Sequence, residues 1–447
     1  MKKRWMEVAE DAAEKQEALF NKYITGDGIP FINEDAKIAY RERTTLVKDA
    51  VQMKKTPRRV AICPSAGTFP LEYAGINWKE AMYNPEALVS AYSKYAEDFP
   101  SDFIDIGGGI QSGKIFDILD FRLCFWAGHG LADNKAFQYI EKDYLKADEY
   151  QDLIDDPTGW FLNVYFPRIF GGLEGFEDFP YLPAIHEMPM IPAFTSPFAN
   201  SSLSASIDKL QAAAKESQTW SQVINCATKL KMSQGFPMFE GSGTKAPFDA
   251  LGDTLRGTKE IMMDLFRRPE LVIEACERLT PLMVKFGVKG CLQSGNPLCF
   301  IPLHKGADGF MTEEQFLTFY WPTLRQLTIG LIDQGIVPLL FAEGGYNSRL
   351  EIIASDLPRG KVIWYFDQTD MRRAKETVGQ NSCIMGNVPL DILYAGTPDE
   401  VRLYCKELIE VAGKNGGYIF STGAGMEGVK VENIKTMLNV AKEYGVY

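Results

Sequence analysis

The sequence predicts an α/β protein whose fold is a (β/α)8 TIM-type barrel, with N-terminal helices and a long cap insertion between strands 2 and 3. Three observations predict it. Short apolar runs recur along the chain, each run ends in glycine or polar residues, and segments with helical spacing of apolar residues separate the later runs. This alternation indicates a parallel sheet covered by helices, and eight strand–helix units close a barrel.

Residues 1–58 are predicted to form a helical extension. Apolar residues from Val8 to Tyr23 and from Asp35 to Val51 recur at helical spacing. The barrel and its insertion are predicted to occupy residues 59–447. A barrel of this type needs about 250 residues and accepts large insertions, so the length of the chain does not demand a second domain.

Eight apolar runs are predicted as barrel strands, because each is short and opens into a loop. They are residues 59–63, 103–106, 236–239, 298–303, 337–341, 362–366, 383–385 and 418–420. Helices are predicted between the later strands, at residues 312–333, 348–355, 371–378, 397–412 and 431–444.

The interval between strands 2 and 3 is too long for a simple connection. Residues from about 111 to 201 are rich in aromatics and prolines, and a long helix is predicted from Leu203 to Lys231. We interpret the interval as a cap over the barrel mouth, because long structured insertions act as lids or binding loops. An oligomerisation surface, and with it a homodimer, is the alternative.

Charge and composition exclude several classes of partner. The formal net charge of −12 disfavours nucleic acid and anionic membrane, since both select for basic patches. Neither an apolar run long enough to span a membrane nor a signal peptide is found. The eight cysteines form no Cys-x-x-Cys pair. We therefore expect reduced thiols and a cytoplasmic protein.

Polar residues that directly follow the predicted strands are the candidates for an active site. In barrels of this type the active site lies at the C-terminal ends of the strands, where these side chains would face one cavity. The alternative is that some of these residues only cap the following helices. Asp367 and Asn387 are the weakest candidates, because aspartate and asparagine are common in turns. The candidates are Asp105, Glu240, His304, Glu343, Asp367 and Asn387.

Glu343, His304 and Asp367 are the catalytic candidates. Glu343 lies in Phe341-Ala342-Glu343-Gly344-Gly345-Tyr346, where glycines allow a substrate to approach the backbone. His304 ends a strand and is the best placed of three histidines. The substrate-binding candidates are Asp105, Glu240, Tyr346, Asn387 and His129, the last in Trp126-Ala127-Gly128-His129-Gly130.

Two common nucleotide-binding motifs are missing. The run Gly107-Gly108-Gly109 lacks the later glycine and the helix of a dinucleotide fingerprint. No phosphate-binding Gly-x-x-x-x-Gly-Lys-Ser/Thr motif occurs either. The aromatic insertion suits a small, largely apolar substrate.

Several short segments of this chain resemble segments of one protein family, and they occur in the same order along the sequence. They are Arg41-Glu42-Arg43, Ala246-Pro247-Phe248 through Gly257, Gly386-Asn387-Val388-Pro389, Gly416-Gly417-Tyr418-Ile419-Phe420 and Glu432-Asn433. From about residue 39 onward, interrupted by the insertion, the chain resembles the superfamily of uroporphyrinogen decarboxylases and methylcobamide:coenzyme M methyltransferases. The resemblance implies a (β/α)8 barrel, in agreement with the eight predicted strands.

Departures from the family's motifs imply that uroporphyrinogen decarboxylation is not the reaction. The decarboxylases carry Arg-Gln-Ala-Gly-Arg after strand 1, whereas residues 64–68 here read Pro-Ser-Ala-Gly-Thr. A substrate with many carboxylates needs cationic partners, and both arginines are missing. The family's catalytic Asp and late His fall near Gly109 and Ala424 of this chain.

The zinc ligands of the coenzyme M branch are missing too. That branch uses His-x-Cys and a later Cys, and the matching residues here are Ala342, Gly344 and Ala424. Zinc binding remains possible only if His304, Glu343 and Asp367 are the ligands, and their spacing alone does not show a metal site.

The resemblance implies a divergent corrinoid-dependent methyltransferase of the O-demethylase type. It would move a methyl group from a methoxylated or methylated small molecule to a corrinoid. The corrinoid would be carried by a partner protein, because this chain has no Asp-x-His-x-x-Gly corrinoid-binding signature. No tightly bound cofactor is predicted. Glu343 or His304 would assist the departing oxygen as an acid.

Two other functions stay open. A decarboxylase or lyase of the same family would act on a smaller carboxylic acid, with a cationic clamp drawn from Lys245, Lys305, Arg349 or Arg256. The second alternative is a non-catalytic binding relative.

Overall fold

A computed structural model describes residues 9–181 and 185–447. Val8, where the first helix is predicted to begin, lies outside the described residues. The helices are α1 Ala12–Thr25, α2 Glu34–Gln52, α3 Phe69–Ala74, α4 Trp78–Tyr83, α5 Pro85–Asp98, α6 Gly113–Leu119, α7 Tyr150–Asp155, α8 Pro157–Trp160, α9 Phe166–Ile169, α10 Ile191–Thr195, α11 Ser201–Ser233, α12 Pro247–Ala250, α13 Thr258–Arg267, α14 Pro269–Ser294, α15 Glu313–Gln315, α16 Trp321–Ile332, α17 Leu350–Ser355, α18 Met371–Glu376, α19 Leu390–Ala395, α20 Pro398–Ala412 and α21 Val431–Tyr444.

The strands of the described chain form a barrel sheet and a small cap sheet. They are β1 Ala61–Ile62, β2 Cys124–Ala127, β3 Gly130–Leu131, β4 Phe137–Tyr139, β5 Ser242–Gly243, β6 Leu298–Leu303, β7 Val337–Ala342, β8 Ile363–Phe366, β9 Cys383–Val388 and β10 Tyr418–Thr422. The barrel sheet is parallel throughout, in the order β1-β10-β9-β8-β7-β6-β5. The predicted (β/α)8 fold is confirmed.

The segment around Ile104 closes the barrel between β1 and β5. The backbone N–H of Asp102 donates to Ile62 O at 3.0 Å, and that of Ile104 donates to Pro237 O at 3.0 Å. Ile104 also forms a parallel bridge with Met238. The Asp102 carboxylate reinforces this closure, because Arg59 binds it through two hydrogen bonds of 2.6 and 2.7 Å.

The predictions of regular strands at residues 103–106 and 236–239 are wrong. Of these residues only Ile104 and Met238 form a bridge, with each other, and the regular pairing with β6 begins at Ser242. Pro237 has no N–H to donate to a ladder. The Asn296 side chain instead donates to the carbonyls of Met238 and Phe239, each at 3.1 Å, and takes the place of strand pairing.

The N-terminal helices close the lower end of the barrel. One buried apolar cluster joins the two helices to the barrel strands. It contains Phe20 and Tyr23 of α1, Leu46, Val47, Ala50 and Val51 of α2, and the strand residues Leu298, Val337 and Ile363. Burial of these apolar side chains is the main force that holds such an element in place. The predicted helical extension is therefore part of the barrel core.

The insertion forms a separate layer of short elements. Its sheet has the order β3-β2-β4, and it is followed by short helices from α7 to α10. The long helix α11 then returns the chain to the barrel, in agreement with the helix predicted at residues 203–231. Among the described residues, no helix combines the length and the apolar character required to cross a bilayer.

Candidate functional site

Three cavities lie at or inside the barrel mouth. We call the first the outer cleft; it measures about 770 Å³ and is lined by Lys245, Asp253, His304, Glu343 and Asp367, with cap residues Phe137 and Tyr139. A middle cavity of about 290 Å³ shares Phe137 and Tyr139 with it. An inner chamber of about 380 Å³ shares Gly108 and Gly109 with the middle cavity. The cap thus helps to wall the mouth, as predicted for a lid.

His304 lies at the centre of a charged cluster in the outer cleft. It directly follows β6, and its Nδ1 is 2.6 Å from Asp253 Oδ2. Its Nε2 is 3.4 Å from Glu343 Oε2, which directly follows β7. The predicted approach of His304 and Glu343 is therefore present.

Two lysines share the Asp253 carboxylate with the imidazole. Lys245 Nζ is 2.6 Å from Asp253 Oδ2, and Lys305 Nζ is 3.1 Å from Asp253 Oδ1. The hydrogen bond from Asp253 raises the pKa of His304, although burial and Lys245 act against it. Burial would raise the pKa of Asp253, yet contacts with His304 and Lys245 hold it far below its ordinary value. The balance of these contacts favours the charged imidazolium form of His304.

A second buried carboxylate fixes the backbone that carries His304. Asp249 Oδ2 accepts from the N–H of His304 at 3.1 Å and from the Tyr320 hydroxyl at 2.7 Å. Asp249 Oδ1 accepts from the N–H of Lys305 at 2.9 Å. These bonds orient the start of the loop after β6, so the imidazole is held from both its backbone and its Nδ1.

The sequence-based analysis missed Asp249 and Asp253 because they do not follow a strand. They lie on the short helix α12 and the π-helical turn that continues it, Leu251–Leu255. A signal existed: aspartates at positions i and i+4 lie on the same face of a helix. Three residues separate that helix from β5, and Asp253 lines the outer cleft.

Asp367 lies in the outer cleft but outside the hydrogen-bonded cluster. Its Oδ2 accepts from the N–H of Gly344 at 2.9 Å. Burial, followed by the charge of Glu343, raises its pKa. Within the described residues, no three His, Cys, Asp or Glu side chains are arranged to hold a metal ion. The possibility that His304, Glu343 and Asp367 converge as metal ligands gains no support from this arrangement.

Asp105 and Glu240 line the inner chamber together. Asp105 Oδ1 accepts from the N–H of Gly108 at 3.1 Å. The glycine run allows this turn, because Gly107, Gly108 and Gly109 all have positive φ, at 100°, 55° and 73°. Burial and the charge of Asp105 raise the pKa of Glu240 to about 7. Both side chains are accessible to solvent inside the chamber, although many protein atoms lie around them.

Three predicted substrate-binding residues lie elsewhere. Tyr346 is fully buried and lines none of the three cavities. The Asn387 side chain is buried and donates to the carbonyls of Asp367 and Thr369, so it braces the loop after β8. His129 stacks on Trp126 in the cap at 4.5 Å between ring centroids, and its Nε2 is 3.1 Å from Asp117. Direct substrate contact by these three is not supported by their positions.

The cations considered for a carboxylate clamp already have partners. Arg256 is buried and pairs with buried Asp264 at 2.7 Å. Arg349 is buried and donates to the carbonyls of Gly306 and Met311. Lys245 and Lys305 both contact Asp253, as described above. A substrate carboxylate would have to compete with these contacts.

Comparisons with known proteins agree with the observed barrel. The family model described as uroporphyrinogen decarboxylase (URO-D) matches residues 186–444. A uroporphyrinogen decarboxylase of Carboxydothermus hydrogenoformans is 31% identical over 137 residues, which cover 30% of this chain and 38% of that protein. A solved structure, a methyltransferase from Methanosarcina mazei, superimposes with a TM-score of 0.57 at 15% identity, over 90% of this chain and 98% of that one. The last similarity shows a shared fold.

Proposed function

Because this chain belongs to the uroporphyrinogen decarboxylase family, we propose that it is a methyltransferase that moves a methyl group from a methoxylated or methylated small molecule to a corrinoid on a partner protein. The observation that carries the proposal is the His304 imidazole, held at Nδ1 by Asp253 with Nε2 directed into the outer cleft toward Glu343. No arginine is among the described residues that line the three cavities, and a porphyrinogen substrate would call for several.

His304 acts as the general acid in this proposal. When a methyl group leaves an ether, the oxygen keeps the bonding electron pair and needs a proton to become a good leaving group. The imidazolium supplies that proton from Nε2, and Asp253 keeps the ring in place. Glu343 takes part by orienting the Nε2–H and by restoring the proton. Phe137 and Tyr139 of the cap form an apolar wall beside the reacting group.

The corrinoid is the methyl acceptor, and this chain's residues bind and protonate the donor. The residues of the outer cleft do not fit the zinc site of related methyltransferases, since no three-ligand group exists in the described part of the chain. We derive no step through zinc. The eight free cysteines support a cytoplasmic location for the reaction.

The test is an anaerobic assay with purified protein, Co(I) cobalamin or a corrinoid protein, and a panel of methoxyarenes and small methylated compounds. Conversion to methylcobalamin is followed in the visible spectrum. Conversion with one substrate class supports methyl transfer and identifies the donor class. A flat trace over the whole panel, with the corrinoid shown to be competent, would overturn the proposal.

Variants assign the roles within the cleft. Loss of a general acid typically costs 10²–10⁴-fold in rate, so His304→Gln should lower turnover by about that range. Glu343→Gln should also abolish most turnover without unfolding the barrel. Matched controls are His186→Gln and Glu407→Gln, which change exposed residues outside the three cavities. Unchanged turnover in His304→Gln or Glu343→Gln would remove that residue from the mechanism.

A further inference from the structure

The inner chamber combines two carboxylates with apolar walls. Six aromatic rings line it, together with Asp105, Glu240 and aliphatic or sulfur-containing side chains. Its described lining contains no lysine, arginine or histidine. The charge of the carboxylates therefore has no cationic side chain in the wall to balance it. The rings belong to Tyr95, Phe103, Phe239, Phe300, Phe341 and Tyr365.

A hydroxyl in the same wall is also unpartnered. Tyr95 is 6% exposed, and its hydroxyl is buried without a hydrogen-bond partner among the described residues. A buried hydroxyl without a partner is unfavourable, so one that is retained points to a group that is present in only some states of the protein. Tyr365 differs, because its hydroxyl donates to Thr422 O at 2.9 Å.

The aromatic rings of the chamber wall pack against one another. Phe341 lies 4.6 Å from Tyr365 and 5.9 Å from Phe300 between ring centroids. Phe103 and Phe239 pack edge to face at 5.1 Å. Aromatic rings attract cations through their negative faces, and a methylated ammonium gains most because it loses little hydration on entering such a space.

We propose that the inner chamber is a binding site for a small organic cation of the N-methylated ammonium class. The cation would balance Asp105 and Glu240 and contact the rings, and a polar substituent such as the hydroxyl of choline would give the Tyr95 hydroxyl a partner. A metal cation is a poorer match, since the described residues contain no three-ligand group. An anion would meet two carboxylates without a cationic partner. The site goes beyond the proposed methyl transfer and does not depend on it.

The electrostatics of the chamber support the proposal. Burial, and to a smaller extent the charge of Asp105, raises the pKa of Glu240 to about 7. A cation between the two carboxylates would stabilise their charged forms. Binding should therefore be measured at pH 8, where Glu240 is mostly ionised.

The test is isothermal titration calorimetry of the full-length protein, without any methyl acceptor. The probes are tetramethylammonium, choline, and 3,3-dimethylbutan-1-ol, the neutral carbon analogue of choline. We expect both cations to bind, and choline to bind at least about tenfold more tightly than the neutral alcohol. Equal affinity for choline and the alcohol, or no binding of either cation, would overturn the proposal.

Variants connect the binding to this chamber. The double variant Asp105→Asn, Glu240→Gln keeps the shape of both side chains and should lower cation affinity at least tenfold. Phe341→Leu should weaken cation binding more than alcohol binding. Glu410→Gln, on the exposed face of α20, is the matched control and should bind like the unaltered protein. Unaltered cation binding in the double variant would refute the assignment to the chamber, whatever the result of the methyl-transfer assay.

Discussion

Replacing Asp253 by Asn should lower the pKa of His304. The carboxylate is 2.6 Å from Nδ1, and this hydrogen bond is the largest cause of the raised pKa. An opposite charge at such a distance favours the charged form of its partner by about 1–3 pH units. In the variant the carboxylate charge is lost while Lys245 Nζ still lies 3.1 Å from Nδ1. We therefore expect the midpoint of His304 titration to fall by about 1 pH unit or more.

The small number of histidines makes the measurement direct. The chain has three, so ¹H–¹³C NMR of the imidazole Cε1–H should give three signals, and His304→Gln assigns the one that disappears. The signals of His129 and His186 serve as internal references for the state of the fold in Asp253→Asn. If the His304 midpoint does not fall in a variant that keeps its fold, the Asp253–His304 pair does not set the protonation of the cleft. The acid role proposed for His304 would then lose its electrostatic basis.

Three further predictions concern stability. The folded-state pKa of His304 is raised, so the stabilising contribution of this residue is present below the unfolded pKa of about 6.5 and is lost as pH rises through the folded value. In chemical denaturation, His304→Gln should therefore lose more unfolding free energy at pH 5.5 than at pH 9. An equal loss at both pH values would contradict this. Asp264→Ala removes the closest carboxylate partner of buried Arg256 and leaves only the 3.8 Å contact with Glu260. The change should cost about 3–5 kcal/mol of unfolding free energy, and an unchanged unfolding free energy would contradict this. Gly67→Ala should lower the unfolding free energy by about 1 kcal/mol or more, because φ is +54° and a Cβ would lie 2.5 Å from the Gly425 backbone. An unchanged melting temperature would show that the loop can move aside.

The barrel was predictable because its signals are local. An apolar run such as Val337–Ala342 can be recognised from six consecutive residues, and α21 was predicted at its observed bounds. The third strand could not be predicted in the same way. Its pairing is replaced by the Asn296 side chain, a contact between residues about 60 positions apart that no local pattern shows.

The site was predictable in part for the same reason. Strand ends meet at one rim of a barrel, and this rule brought His304 and Glu343 together correctly. It said nothing of depth, so it did not separate the outer cleft from the inner chamber that holds Asp105 and Glu240. It also assigned Tyr346 to the cavity wall, whereas the side chain turns into the core.

The helices α1 and α2 have a consequence for how the chain can be divided. Their apolar side chains complete the floor of the barrel, in one cluster with the first residues of several strands. A chain begun at residue 59 would expose that floor to water and would lose the Arg43 contact with Asp102. The N-terminal segment and the barrel should therefore melt in a single transition. The boundary that the sequence suggests at residue 58 is a change of secondary structure, and the two sides of it do not fold independently.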